Sequence, residues 1–239
     1  MTKAFTLTER VPRRLSEMNW MQVGDYLKQD HRLILPLGSL ESHGYLSLAT
    51  DRIIPSQLAD RLSAATGVLV APPLPYGFAL SLTAYPGTIS FSASTYLGAV
   101  SDLVCSAVRG GFRSILILNG HGGNSFVRAG LQEVAATHPE ARLEMVEWWR
   151  LPVVEGFWTE RGMKQSHANF SENFPFTRVA PTPESEKPYV DFPSIASPSE
   201  VRKALGDGTG GGPYEVDDRD MERLLEMIVN DLVPLLDKL

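Results

Sequence analysis

The 239-residue sequence contains a single cysteine and has no concentration of basic residues. One cysteine excludes an internal disulfide. No apolar run reaches the roughly 18 residues that a membrane-spanning helix requires, which argues against an integral membrane protein. The net charge of −6 argues against nucleic acid or an anionic membrane surface as the main partner. Small molecules are therefore the expected ligands.

The N-terminal segment MTKAFTLTERVPRR lacks the apolar core of a secretion signal, so a cytoplasmic location is expected. The remaining composition, 43% hydrophobic and 21% charged, is typical of a folded globular protein. A length of 239 residues suits one large α/β domain, and residues 1–239 are predicted to form a single domain. Cys105 lies in a helical apolar pattern and is interpreted as core packing.

Short apolar runs alternate with helical patterns along the first 150 residues. Buried strands are predicted at HRLILPLG, VLVAPPLP, RSILILNG and ARLEMVEWW, and a further short strand at TISFSAS before a serine cap. Helices are predicted over 16–30, 52–66, 95–109, 124–139 and 217–238. This alternation predicts right-handed crossovers and a three-layer αβα fold with a mostly parallel central sheet. Residues 151–216, rich in proline and glycine, are predicted to be long loops at the rim of the site.

Acidic and imidazole groups follow two of the predicted strands. Glu41, His43 and Asp51 come after LILPLG, and His121 comes after RSILIL. The carboxyl ends of parallel strands meet at one edge of a sheet, so these side chains are expected to converge there. Divalent cations accept imidazole nitrogen and carboxylate oxygen together, and a carboxylate can bridge two ions. Asp51, near a predicted helix start, is the candidate bridge, although helix capping is an alternative interpretation of that residue.

The turn NGHGGN has two interpretations. Glycine-rich turns between a strand and a helix can hold phosphates, but the spacing G-x-G-x-x-G and a Lys-Ser/Thr ending are both lacking. Gly122 and Gly123 instead allow the backbone to pass close to a ligand, while Asn119 and Asn124 brace the loop. We interpret His121 as a metal ligand rather than a structural turn residue.

Five ordered segments, GSLESHG, LATD, YPGTISF, NGHGGN and HANFSEN, resemble motifs of the creatininase (creatinine amidohydrolase) family. The resemblance extends from about residue 15 to the GGPYE stretch near 215. It implies an α/β hydrolase that cleaves C–N bonds in cyclic amides, formamides or, in one branch, a modified peptide. It also implies a centre of one or two divalent ions, Zn, Mn or Fe, and a closed homo-oligomer, often a hexamer.

Carried over residue by residue, the resemblance implies a ligand set with Asp51 as the bridge. The implied ligands are Glu41, His43, Asp51, His121 and Glu172. Glu172 is implied either as a ligand or as a proton acceptor, and His167 as a proton donor or a substrate contact. The family has an acidic ligand at the place of Gly123, so a second ion must use Glu172 or be absent.

Other departures from the family pattern concern the substrate. Family histidines are replaced by Tyr45 or Leu46 and by Leu82, and a family glutamate is replaced by Phe170. A pocket lined in this way is expected to prefer a less polar or aromatic substrate. The predicted substrate-binding residues are Tyr45, Leu82, Gly122, Gly123, Trp148 and Phe170. Of the adjacent tryptophans Trp148 and Trp149, at least one is expected to face the site.

The sequence thus predicts a metal-dependent amidohydrolase acting on a small cyclic amide or formamide. Two alternatives stay open: a peptidase-type homologue acting on a modified peptide, and a catalytically idle family member that binds a ligand. No site role is assigned to His31, which precedes a predicted strand, or to His138, which ends a predicted helix.

Overall fold

Four parallel strands form the centre of the molecule in a computed structural model that describes residues 13–191 and 195–239. They are β1 (Arg32–Leu37), β2 (Leu69–Val70), β3 (Ser114–Asn119) and β4 (Arg142–Glu147), in the spatial order β2-β1-β3-β4. Each strand lies within one of the apolar runs that predicted it, and every pairing is parallel. The predicted parallel sheet is therefore confirmed.

Seven α-helices surround this sheet within the described ranges. They are α1 (Trp20–Tyr26), α2 (Thr50–Thr66), α3 (Ala93–Arg109), α4 (Val127–Thr137), α5 (Pro152–Thr159), α6 (Pro198–Leu205) and α7 (Asp218–Lys238). Alternate β3 residues face opposite layers: Leu116 and Leu118 pack with α2, α5 and α7, whereas Ile115 and Ile117 pack with α1, α3 and α4. Both faces of the sheet are thus covered by helices, which confirms the three-layer arrangement.

Two local predictions are wrong. The segment TISFSAS forms no strand, because its pairing is limited to isolated bridges of Ile89 with Leu40 and Ser90 with Gly77. The first α-helix begins later than predicted, since Asn19 caps it and accepts hydrogen bonds from the backbone of Met21 and Gln22. The serine cap predicted after TISF is present, with Ser92 accepting from Thr95 N at 3.4 Å.

The region 151–216 is not made of loops alone, because α5 and α6 lie within it. Both helices carry start signals in the sequence, a proline in the first turn of each and a capping box between Ser197 and Glu200 in α6. These signals are weak because both helices are short and the surrounding sequence is rich in proline and glycine. No α-helix within the described ranges is long and apolar enough to cross a membrane.

Leu58 of α2 is completely buried between the sheet and α7, whereas Leu103 of α3 is 44% exposed. Leu58→Ala removes buried methyl groups and leaves a cavity, so we expect a loss of about 2–5 kcal/mol in the free energy of unfolding. Leu103→Ala, the same substitution at a solvent-facing helical position, should change it by about 0.5 kcal/mol or less. Urea denaturation followed by circular dichroism measures both. Equal losses in the two variants would contradict the described packing.

Candidate active site

A cavity of about 270 Å³ opens at the carboxyl edge of the sheet, beside the ends of β1 and β3. Its size suits a small molecule. The residues that line it come from five chain segments: Glu41, Asp51, Gly120, His121, Gly122, Trp149, Gln165, Ser166, His167, Ser171 and Glu172. The predicted convergence of strand ends at one edge is thus observed.

Asp51 lies at the centre of the acidic and imidazole groups. Its Oδ1 lies 3.0 Å from His43 Nε2 and its Oδ2 lies 2.8 Å from His121 Nδ1. Glu41 Oε1 lies 3.3 Å from His121 Nδ1. Asp51 is the second residue of α2, and the helix is capped at Ala49 without a side-chain hydrogen bond. Helix capping therefore does not account for Asp51, whose Oδ2 also accepts from Ser39 Oγ at 2.8 Å.

His167 and Glu172 reach the same cluster from the region after α5. Glu172 Oε2 lies 3.8 Å from His43 Nε2, and His167 Nδ1 lies 3.8 Å from Glu41 Oε1. Between them, Ala168 has a φ of 56°, a left-handed conformation that is unfavourable for a side chain. Its backbone N–H donates to Glu172 Oε2 at 2.6 Å. This turn therefore fixes the carboxylate relative to the histidine.

Each of the three histidines uses one ring nitrogen to contact a backbone carbonyl and turns the other toward the carboxylates. The contacts are His43 Nδ1 to Glu41 O at 3.2 Å, His121 Nε2 to Phe78 O at 2.9 Å and His167 Nε2 to Ser42 O at 2.8 Å. In metal sites such a contact fixes the tautomer, because the nitrogen that donates to the carbonyl leaves the other nitrogen with a free lone pair.

The donor set matches a divalent cation. Glu41 Oε2 and His43 Nε2 are buried and have no hydrogen-bond partner within the described part of the chain. The 3.0 Å approach of His43 Nε2 to Asp51 thus lacks hydrogen-bond geometry. An imidazole nitrogen and a carboxylate oxygen that lie this close without a hydrogen bond are typical of two ligands of the same metal ion. Triplets of these residues place one donor atom each within 4.8 Å of one another.

The cluster strongly perturbs the protonation of its members. Burial opposes the charged form of His43, yet the carboxylate of Asp51 outweighs it and raises the pKa of His43 to about 10. The pKa of His121 is likewise raised despite burial, by Glu41 and Asp51. Burial disfavours ionised Asp51, but His43 and His121 hold its pKa well below the usual value. Burial raises the pKa of Glu172 to about 7, and burial together with His43 lowers the pKa of His167.

Close backbone approach explains the glycines of the turn after β3. A Cβ added at Gly120 would lie 1.9 Å from Asp51 O, and one at Gly123 would lie 2.2 Å from Phe78 O. No side chain fits at residue 123 without local movement, so this position supplies no ligand. Gly123 therefore packs against Phe78 and His121 and does not line the cavity.

Four other predicted substrate contacts also lie outside the cavity. Trp148 is completely buried in the core beside Phe174, and Phe170 is completely buried against Trp158. Leu82 packs with Val201 and Leu205 of α6, and Tyr45 packs edge-on against Tyr214. Lack of a polar group at these positions reflects packing by the region after residue 151, whose course the sequence patterns do not specify.

The cavity wall is instead formed by Trp149 and by residues that no motif identified. Trp149 is the tryptophan of the pair that faces the site, as one of them was expected to do. Gln165, Ser166 and Ser171 add polar groups, and Gln165 Nε2 donates to Trp149 O at 3.2 Å. The proximity of these residues to His167 in the chain is the only sequence signal that could have identified them. Of the six predicted contacts, Gly122 lines the cavity.

The fold and the cluster together define an α/β protein with a buried imidazole–carboxylate centre at a strand edge. Residues 16–236 match the creatininase family, described as creatinine amidohydrolase, and the chain belongs to that family. Creatinine amidohydrolase of Pseudomonas putida is 34% identical over 106 residues, 41% of each chain. 3-Dehydro-scyllo-inosose hydrolase of Thermotoga maritima is 30% identical over 107 residues, 44% of this chain and 34% of the relative.

A mycofactocin precursor peptide peptidase of Mycobacterium ulcerans is 32% identical over 120 residues, 46% of this chain and 48% of the relative. The chain thus spans less than half the length of the curated relatives it matches. Solved structures share the fold over nearly the whole chain. A mutant creatininase complexed with creatine has a TM-score of 0.80 at 21% identity, over 95% of this chain and 98% of that one. A structure titled "Creatininase Mn" has a TM-score of 0.76 at 23% identity, over the same shares.

Asn124 connects three loops around the cavity. Its Nδ2 donates to Gly38 O at 3.1 Å and Asn119 Oδ1 at 3.2 Å, while its Oδ1 accepts from Phe78 N at 3.0 Å. Asn124→Asp keeps the shape but places an oxygen against two acceptors in a buried position. We expect the free energy of unfolding to fall by about 2–4 kcal/mol.

Asn230→Asp is the matched control, because Asn230 is exposed in α7. This substitution should change the free energy of unfolding by about 0.5 kcal/mol or less. Chemical denaturation of both variants is the measurement. An Asn124→Asp protein as stable as the wild type would show that these hydrogen bonds do not brace the site.

Proposed function

We propose that this protein is a metal-dependent amidohydrolase that hydrolyses a C–N amide bond in a small cyclic amide or formamide. The observation that carries the proposal is the position of Asp51 between two imidazoles, at the base of a cavity of small-molecule size. Membership in a family described as creatinine amidohydrolase supports the reaction type.

Two overlapping donor groups would hold the divalent ions. One comprises Glu41, Asp51 and His121, and the other comprises His43, Asp51 and Glu172. Zn²⁺, Mn²⁺ and Fe²⁺ all accept carboxylate and imidazole ligands. The titles of related structures name manganese in one case and a "Zn-Zn type" in another, in agreement with this set of ions. A divalent ion supplies Lewis acidity, since it polarises a carbonyl oxygen and lowers the pKa of water.

The surrounding residues would orient the amide and transfer protons. Glu172 faces the cluster and would accept a proton from the attacking water, whose oxygen joins the carbonyl carbon. His167 Nδ1, directed inward by the bond from Nε2 to Ser42 O, would carry a proton to the departing nitrogen as the C–N bond breaks. The backbone N–H of Gly122 has no acceptor within the described chain and would donate to the developing oxyanion, a contribution of roughly 3–4 kcal/mol.

The walls of the cavity combine an aromatic ring with hydrogen-bonding groups. Trp149 offers a flat face, while Gln165, Ser166 and Ser171 offer hydrogen-bonding groups. Tyr45, Leu82 and Phe170 do not line the cavity, so the predicted preference for a less polar or aromatic substrate now depends on Trp149. A small ring that carries both an amide and further polar atoms matches this lining best.

We further propose that the protein is a cytoplasmic homo-oligomer, a hexamer by family resemblance. Such an assembly would cover apolar side chains on α1 such as Trp20, which is 81% exposed. Sedimentation of the purified protein measures the number of subunits, and a monomer at micromolar concentration would contradict the assembly.

Metal content tests the centre directly. Purified wild type should contain Zn, Mn or Fe, whereas Asp51→Ala should contain almost none, because Asp51 belongs to both donor groups. His138→Ala is the control, since His138 contacts Glu140 at the end of α4, away from the cavity. Elemental analysis is the measurement. Wild type without bound or bindable metal would favour the idle binding protein over the enzyme.

Turnover tests the reaction. Protein reconstituted with Zn²⁺ or Mn²⁺ should release ammonia, amine or formate from a set of lactams, cyclic ureas and N-formyl compounds, and chelation should abolish the release. Glu172→Gln should lower kcat by about 100-fold or more, while the melting temperature of the metal-free protein stays unchanged. Full activity after chelation and dialysis would refute the mechanism.

A further inference from the structure

A third donor group adjoins the two that would hold the ions in the proposed function. All three groups share members, and each has its donor atoms within 4.8 Å of one another. They are Glu41, Asp51 and His121; His43, Asp51 and Glu172; and Glu41, His43 and His167. The third group includes His167, the residue proposed to carry a proton.

The second and third groups exclude each other because they share one nitrogen. His43 Nδ1 contacts Glu41 O at 3.2 Å, which leaves only Nε2 with a free lone pair. An imidazole nitrogen binds one ion at a time. An ion held by His43 Nε2 can therefore use the side of Asp51 and Glu172 or the side of Glu41 and His167, but not both.

Both alternatives are formed by the fold. On one side Asp51 Oδ1 lies 3.0 Å and Glu172 Oε2 lies 3.8 Å from His43 Nε2. On the other side the rings of His43 and His167 lie 4.6 Å apart, and His167 Nδ1 is turned inward by the bond from Nε2 to Ser42 O. Glu41 Oε1 lies 3.8 Å from His167 Nδ1, and the buried Glu41 Oε2 has no hydrogen-bond partner in the described chain.

The two alternatives differ in ligand chemistry. The side of Asp51 and Glu172 offers two carboxylates and one imidazole, whereas the side of Glu41 and His167 offers two imidazoles and one carboxylate. Carboxylate oxygen suits Mn²⁺ and Mg²⁺, while imidazole suits Ni²⁺ and Cu²⁺. The balance of oxygen and nitrogen donors thus discriminates between the ions.

We propose that the identity of the second ion decides its position: Mn²⁺ binds His43 with Asp51 and Glu172, whereas Ni²⁺ binds His43 with Glu41 and His167. The inference rests on the proposed function, because it assumes that the cluster holds metal. An ion that prefers nitrogen ligands would bind Nδ1 of His167. Such an ion would fill the centre and at the same time remove the proton carrier.

Titration of the metal-free protein with Mn²⁺ or Ni²⁺, followed by calorimetry, tests the proposal without any substrate. His167→Gln keeps an Nε2 donor for Ser42 O but removes the ring nitrogen that faces the cluster. The affinity of the second Ni²⁺ binding step should therefore fall by at least about tenfold. The affinity of this variant for the second Mn²⁺ should stay within about twofold of the wild-type affinity, because Mn²⁺ would not use His167. Glu172→Gln should show the reverse pattern.

His31→Gln is the matched control, because His31 contacts Gly111 O outside the cavity and should leave both metals unaffected. The melting temperature of each metal-free variant confirms that it is folded. Equal effects of His167→Gln on both metals, no effect on either, or a wild type with only one binding step for both metals would overturn the inference. A wild type that binds neither metal at all would instead refute the proposed function.

Discussion

Three carboxylates share one largely buried corner of this molecule, and no lysine or arginine forms an ion pair with any of them in the described parts of the chain. Glu41 and Asp51 are 2% exposed, and Glu172 lies directly beside them. Buried negative charge is unfavourable unless it is paired or coordinates a cation. In the described parts of the chain, histidines are the only ionisable basic side chains that face these groups, and a divalent ion would stabilise this arrangement.

The structure around this corner serves to hold its donors in place. Backbone carbonyls of Glu41, Phe78 and Ser42 fix the three imidazoles, and Ser39 and the backbone of Ala168 fix two carboxylates. Glycines at 120 and 123 let the turn after β3 lie against Asp51 and Phe78. The rigidity of the site therefore comes from the main chain of the strand-end loops, which the sheet beneath them positions.

The wall of the cavity comes from a different part of the chain. The site residues at strand ends belong to the sheet and its first turns, whereas the wall depends on how the region after α5 folds back over the edge. That region buries Phe170 and Leu82 in packing contacts and brings Gln165 and Ser166 to the cavity. The same region also brings His167 and Glu172 to the imidazole–carboxylate centre.

The sequence by itself determined the parallel αβα fold and the set of acidic and imidazole groups at the sheet edge, because apolar periodicity and strand-end position are local properties. Glu41, His43, Asp51 and His121 could be placed in this way, and motif resemblance added His167 and Glu172. Only the tertiary structure decided which of Trp148 and Trp149 faces the cavity, where Tyr45 packs, and that His43 has a single nitrogen for two competing donor groups. These outcomes depend on contacts between segments far apart in the chain, whose relative course no local pattern encodes.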